Sequence, residues 1–202
     1  MELLLATRNA NKVREISQVL LPAVPGLKLF SLEAFPDIPE VVEDGRTLQE
    51  NARKKAEAVS RSSGLPCLAD DTGLEVAALG GAPGVYSARY AGEGCDYAAN
   101  NAKLLAELKD ARGARRSACF RCVMALAVPG EETVFDEGRL DGSIRDSAAG
   151  KNGFGYDPIF LLPDSGRTLA ELSAEEKNRL SHRAKALEAV ARRLAAMMGR
   201  RS

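Results

Sequence analysis

Leu68-Ala69-Asp70-Asp71-Thr72-Gly73-Leu74-Glu75-Val76-Ala77-Ala78-Leu79 is the stretch on which the reading of the fold turns. An apolar run from Pro66 to Ala69 ends in two adjacent acids, followed by Thr-Gly and a second apolar run. A short apolar run of this kind reads as a buried strand, and carboxylates at its end lie at the rim of a sheet, where ligands and metals are handled. Adjacent side chains on a strand point to opposite faces, so Asp70 and Asp71 do not line one site together. One of them is expected to do chemistry and the other to brace a loop. The plain alternative is a pair of solvated acids before a Thr72-Gly73 turn.

Working outward, Leu3 to Ala6 reads as a first buried strand. Asn9 or Asn11 then caps a helix with Val13, Ile16 and Leu20 on one face. Leu27 to Leu32 is a second strand, and Pro36 to Gly45 an acidic, proline-bearing loop. Thr47-Leu48-Gln49-Glu50 has the pattern of a capping box, opening a helix to about Ser62. Beyond the central stretch, Asp96 caps a helix carrying Leu104, Leu105 and Leu108. Arg115–Val128 and Glu132–Leu140 read as a long hairpin around Pro129-Gly130. Ser173-Ala174-Glu175-Glu176 is a second capping box, and Ser181 starts a terminal helix with Leu187, Val190 and Leu194 aligned. Early strand–helix alternation with a late hairpin predicts an α/β fold whose sheet is mixed and flanked by helices. With no internal repeat or low-complexity tract, residues 1–202 are expected to fold as one domain with a cleft.

Basic and acidic residues balance at 28 each, which argues against a dedicated nucleic-acid or membrane-surface binder. The start, Met1-Glu2-Leu3-Leu4-Leu5-Ala6, has no basic n-region or cleavage site. No apolar run approaches the roughly 20 residues that span a bilayer, so a soluble, cytoplasmic protein is expected. The cysteines are Cys67, Cys95, Cys119 and Cys122. Cys119-Phe120-Arg121-Cys122 has CxxC spacing but lies in an alternating strand, where positions three apart face opposite sides. Without a second pair or a nearby histidine it reads as structural thiols rather than a zinc site.

Four segments carry chemistry. Thr7-Arg8-Asn9-Ala10-Asn11-Lys12 joins the first strand to the first helix, where free backbone N–H groups and the helix dipole suit an anion. Neither the P-loop nor the G-x-G-x-x-G pattern is present, and an ordinary capped helix start is the competing reading. Glu43, with Asp70 and Asp71, offers the carboxylate oxygens a hard divalent cation takes, phosphates and waters completing the shell. In Gly150-Lys151-Asn152-Gly153-Phe154-Gly155-Tyr156-Asp157-Pro158, glycines flank Phe154 and leave its ring accessible for stacking on a flat base. A turn with a core aromatic is the alternative. Lys177-Asn178-Arg179-Leu180-Ser181-His182-Arg183 bridges two helices, gathers hydrogen-bond donors and holds the chain's only histidine.

In order along the chain, these segments resemble the inosine/xanthosine triphosphate pyrophosphatase family, in its bacterial dITP/XTP form. The matching pieces are Thr7-Arg8-Asn9-x-x-Lys12, Glu43-x-Gly45-x-Thr47-x-x-Glu50-Asn51-Ala52, Ala69-Asp70-Asp71-Thr72-Gly73-Leu74, the Leu79–Tyr90 stretch, Gly153–Phe160 and Glu176-Lys177-x-x-x-Ser181-His182-Arg183. Arg8 stands where many members carry glycine, with a phosphate contact or a surface pair as its two readings. Thr72 stands where many carry serine and keeps the hydroxyl.

The resemblance implies an α/β fold with two lobes around a deep substrate cleft, usually as a homodimer. It implies magnesium-dependent hydrolysis of deaminated purine nucleoside triphosphates (dITP, ITP, XTP, dXTP) between the α and β phosphorus atoms, giving a monophosphate and pyrophosphate and clearing the nucleotide pool. Asp71 then corresponds to the general base and, with Glu43, to a magnesium ligand. Thr7, Arg8, Asn9, Ala10, Asn11, Lys12, Lys55 and Thr72 correspond to contacts with the triphosphate side. Phe154, Gly155, Tyr156, Asp157, Lys177, His182 and Arg183 correspond to contacts with the base.

Overall fold

The structure is a computed structural model and describes residues 1–199. Its sheet is mixed, and five α-helices accompany it among the described residues. The chain divides into two compact units: Met1–Asp71 with Cys122–Gly138 and the chain from His182 on, and Thr72–Arg121 with Arg139–Ser181.

In the first unit, strand β1 (Glu2–Leu5) is almost wholly buried and pairs in parallel with β2 (Lys28–Ser31), Glu2 opposite Lys28 and Leu5 opposite Ser31. Parallel neighbours need a crossover, and helix α1 (Ala10–Ala23) provides it. Asn9 caps this helix through a side-chain oxygen that accepts from the Asn11 and Lys12 backbone N–H groups. Val13, Ile16 and Leu20 fall at helical spacing and pack into a core with Leu3, Leu5 and Leu68. Helix α2 (Leu48–Ser63) is capped by Thr47 and closed by Gly64 in the left-handed conformation, with φ 69°. The expected capping box is only half formed. Thr47 Oγ1 accepts from Glu50 N, but Glu50 turns to the Arg46 N–H at 2.6 Å, one residue short of the reciprocal contact. Helix α5 (His182–Gly199) lays Ala186, Leu187, Val190 and Leu194 on the same core.

Strand β3 (Cys67–Val76) runs unbroken through both acids and through Thr72-Gly73. The turn of the plain alternative reading is absent because pairing carries the strand onward: Leu74 and Glu75 lie antiparallel to Gly84 and Pro83 of β4 (Pro83–Gly84). Toward its start, β3 pairs in parallel with β1 only as far as Leu68. Asp70 and Asp71 thus lie in mid-strand, just past the end of the β1 ladder.

The second unit holds α3 (Tyr97–Glu107), capped by Asp96, and α4 (Ala174–Leu180), capped by a complete Ser173/Glu176 box. A second complete box, Thr168 with Glu171, sits just before α4 and was not anticipated. Its core gathers Leu74, Leu104, Leu108, Phe120, Tyr156, Ile159, Phe160 and Leu169. The predicted hairpin forms as β5 (Ser117–Ala127) and β6 (Val134–Ile144), and β6 pairs antiparallel with β7 (Phe160–Leu161). The sheet order is β2-β1-β3-β5-β6-β7, with β4 on β3, which is the mixed arrangement expected.

Candidate active site

In the first unit, strand alternation sends the two acids to different partners. Asp70 has a fully enclosed side chain, with Lys12 Nζ at 3.0 Å and Arg183 Nη2 at 3.1 Å from its Oδ2. Arg183 also donates to Glu15 Oε2 at 2.5 Å. Burial alone would raise the Asp70 carboxyl, but Lys12, Arg183 and Lys55 hold it far below the usual carboxylate range. Burial works against the Lys12 charge as well, yet Asp70 and then Asp71 hold its ammonium above its ordinary pKa despite the opposing push of Arg183. Asp70 is the bracing acid. It braces α1 and α5 rather than a loop.

Asp71 faces α2. Its Oδ2 accepts from Asn51 Nδ2 at 3.1 Å, and its Oδ1 lies 3.7 Å from Lys55 Nζ. That ammonium also donates to Glu43 Oε2 at 2.9 Å and to the Asp70 carbonyl at 2.6 Å. Burial pushes the Asp71 carboxyl above its ordinary value; Lys55 and Lys12 offset part of the rise, and Glu43 adds to it. One cationic group therefore already sits against both Glu43 and Asp71. Magnesium usually takes one or two carboxylates from a protein, phosphate and water oxygens completing its shell, so this donor set fits that ion. No group of three or more His, Cys, Asp or Glu gathers as a metal site among the described residues. Burial pushes the Cys67 thiol up to about 12 and, with Glu75 nearby, the Cys119 thiol up to about 11, so both are protonated at neutral pH.

The loop into α1 is a built helix start. Thr7 Oγ1 accepts from Asn9 N at 3.1 Å, Asn9 caps the helix, Ala10 is its first residue and Asn11 N donates to the cap. Arg8 Nη2 donates to the Ile38 carbonyl at 2.8 Å. His182 is buried in the first turn of α5. Gly138 makes room there, since a Cβ on it would lie 2.0 Å from the His182 carbonyl oxygen.

The second unit assembles the aromatic loop. Gly153 and Gly155 have φ of 72° and 64°, which L side chains rarely adopt, and Phe154 stands half-buried between them. Asp157 Oδ2 accepts from Phe154 N at 2.9 Å and from Lys177 Nζ at 2.5 Å. A Cβ on Gly153 would sit 2.0 Å from that oxygen. The Lys177 ammonium stands 4.9 Å from the Phe154 ring centroid, and the Tyr97 ring approaches from α3 at 6.0 Å. Asn101 Nδ2 holds the Gly155 carbonyl at 3.0 Å. Tyr156 gives its ring to the core and its hydroxyl to the Ser87 carbonyl, so it offers the loop only its backbone. Thr72 is half-buried in β3 at the start of this unit.

Sequence reading missed Asn51, Glu15, Tyr97 and Asn101. For Asn51 a signal existed: Leu48, Asn51, Ala52, Lys55, Ala56, Val59 and Ser60 form the buried stripe of α2, so three polar residues lie on the face expected to be apolar.

A model of the Ham1 family matches residues 3–193. The dITP/XTP pyrophosphatase of Geobacter sulfurreducens is 54% identical over 185 residues, 92% of each chain. That of Geobacillus kaustophilus is 53% identical over 186 residues, covering 92% of this chain and 90% of its own. The solved structure of a HAM1 protein from Coxiella burnetii superposes with a TM-score of 0.88 at 42% identity, covering 97% of this chain and 99% of that one. With likeness of that degree running from β1 into α5, the chain belongs to the Ham1 family.

Proposed function

We propose that the protein hydrolyses deaminated purine nucleoside triphosphates, dITP and XTP with their ribo and deoxyribo counterparts, to the monophosphate and pyrophosphate. One observation carries the reading: Glu43 and Asp71 converge on a single cationic group, beside Lys12 at the capped start of α1. The substrate class rests on the relatives' names.

Asp71 takes a proton from a water molecule, and the resulting hydroxide oxygen bonds to the α phosphorus as the bond to the bridging oxygen of pyrophosphate breaks. Burial, which raises the Asp71 carboxyl, makes it a better proton acceptor than a solvated aspartate. Bound magnesium would be held by Glu43 and Asp71 and would neutralise charge on the phosphates. It would also keep Asp71 ionised at neutral pH. Lys12, Lys55 and the side chains of Thr7 and Asn9 bind the triphosphate. Arg183 serves the site by fixing Asp70, the partner of Lys12.

The base stacks on Phe154. An ammonium carries three donors and no acceptor, so the base edge that meets Lys177 must present an acceptor. Hypoxanthine and xanthine present an oxygen at the six position, whereas adenine presents an amino group. A buried donor left facing a donor costs roughly 1–3 kcal/mol, and more when charged. His182, buried at the start of α5, adds to the base readout.

A homodimer working on the cytoplasmic nucleotide pool completes the proposal. Among the described residues no helix is long and apolar enough to cross a membrane. Incubation with dITP, ITP, XTP, GTP and ATP, with and without magnesium, followed by identification of the phosphorus products, tests the reading. Magnesium-dependent pyrophosphate release from the first three supports it. Orthophosphate, or equal release from ATP, contradicts it.

A further inference from the structure

Asn51 is fully buried, and both ends of its amide are engaged. Its Oδ1 accepts from Gly45 N at 2.8 Å, and its Nδ2 donates to Asp71 Oδ2 at 3.1 Å. The backbone N–H of Gly45 can only donate, which settles the orientation: the amide oxygen must face Gly45, and the NH₂ must face Asp71. The NH₂ in turn requires an acceptor, which the ionised carboxylate supplies at either oxygen. With Oδ2 tied to Asn51, Oδ1 is the oxygen turned toward Lys55 Nζ, where Glu43 Oε2 also arrives. Glu43 lies two residues before Gly45, so one side chain fixes both the loop carrying Glu43 and the rotamer of Asp71. Gly45 makes the closeness possible. A Cβ there would stand 2.5 Å from Asn51 Oδ1.

We propose that Asn51 is a positioning residue that sets the separation of Glu43 and Asp71, and with it both the affinity of the cation site and the aim of the base. This rests on the assignment of those two carboxylates to magnesium and to proton abstraction. Asn51 need not touch substrate. Partners one shell out from a metal ligand typically change affinity or activity by about 10–100-fold when removed.

The test compares wild type with Asn51→Leu, close in size and without hydrogen bonds, and with Gly45→Ala, whose methyl group displaces the amide. Manganese binding to the nucleotide-free protein is followed by electron paramagnetic resonance, and kcat and KM for dITP are measured across a magnesium titration. Both variants are expected to bind manganese at least about tenfold more weakly and to need more magnesium for half-maximal rate. Their kcat should fall while KM for the nucleotide at saturating magnesium stays within about twofold, because the phosphate- and base-holding groups are untouched. A folded Asn51→Leu or Gly45→Ala with unchanged manganese affinity and unchanged kcat overturns the proposal. If Asn51→Leu does not fold, Gly45→Ala decides alone. Failure of the wild type itself to bind manganese or release pyrophosphate from dITP would instead overturn the functional reading beneath it.

Discussion

Asp70→Asn keeps the shape of the most enclosed carboxylate of the site and removes its charge. Its Oδ2 lies 3.0 Å from Lys12 Nζ and 3.1 Å from Arg183 Nη2. At an effective dielectric constant of about 20, each such pair attracts by about 5.5 kcal/mol, for a gross attraction of about 11 kcal/mol. Desolvating the charged groups cancels most of this in the wild type, whereas the variant leaves Lys12 and Arg183 without their shared carboxylate, Arg183 keeping Glu15. The net loss is that of a severed buried pair, about 3–5 kcal/mol. For a chain of this size each kcal/mol moves the melting midpoint by about 2–4 °C, so a fall of about 10 °C is expected. Urea unfolding followed by circular dichroism at several pH values reads both the size and the window. The folded carboxyl lies below its ordinary value of 3.8, so its stabilisation is present above that pH and fades as pH falls toward the folded value. The Lys12 ammonium is held above its ordinary 10.5, so its share persists below that pH and fades as pH rises through the folded value. The deficit of Asp70→Asn should therefore be flat from about pH 5 to pH 9 and shrink below about pH 4. A variant within about 1 kcal/mol of wild type at pH 7 would refute the argument that Asp70 braces the site.

Three other expectations follow the same logic. Asp71→Asn should make the metal-free protein more stable at pH 7, because ionising a carboxyl whose folded pKa is raised costs stability above its ordinary value; the gain should vanish below about pH 4, as thermal melts in chelator would show. Gly138→Ala puts a methyl group 2.0 Å from the His182 carbonyl oxygen and 2.5 Å from Ala186 N, so backbone must shift and urea unfolding should reveal a loss of about 2 kcal/mol. His182→Ala should narrow the ratio of kcat/KM for dITP over dATP; an unchanged ratio would assign base readout to Lys177 alone.

What the sequence revealed was chemistry local to a few residues. The caps Asn9, Thr47, Asp96 and Ser173 were legible because each needs only a side-chain oxygen within three residues of a free N–H. Strand alternation was enough to separate Asp70 from Asp71. A Thr72-Gly73 turn stayed open as an alternative because the course of β3 is set by its pairing with Pro83 and Gly84, which no local pattern encodes. For the same reason Glu15 and Asn51 looked like ordinary helix polars: their partners stand 168 and 20 residues away in sequence. The hydrogen bond from Arg8 to the Ile38 carbonyl and the packing of the Tyr156 ring in the core also depend on partners distant in sequence.

The central claim is that Asp71 carries the proton transfer and shares the cation with Glu43. The most direct measurement follows pyrophosphate release from dITP in Asp71→Asn at saturating magnesium, with nucleotide binding recorded on the same samples. The account predicts turnover reduced by roughly 10²–10⁴-fold or more, with dITP still bound through Lys12, Phe154 and Lys177. Hydrolysis at the wild-type rate would contradict it and remove Asp71 as the base.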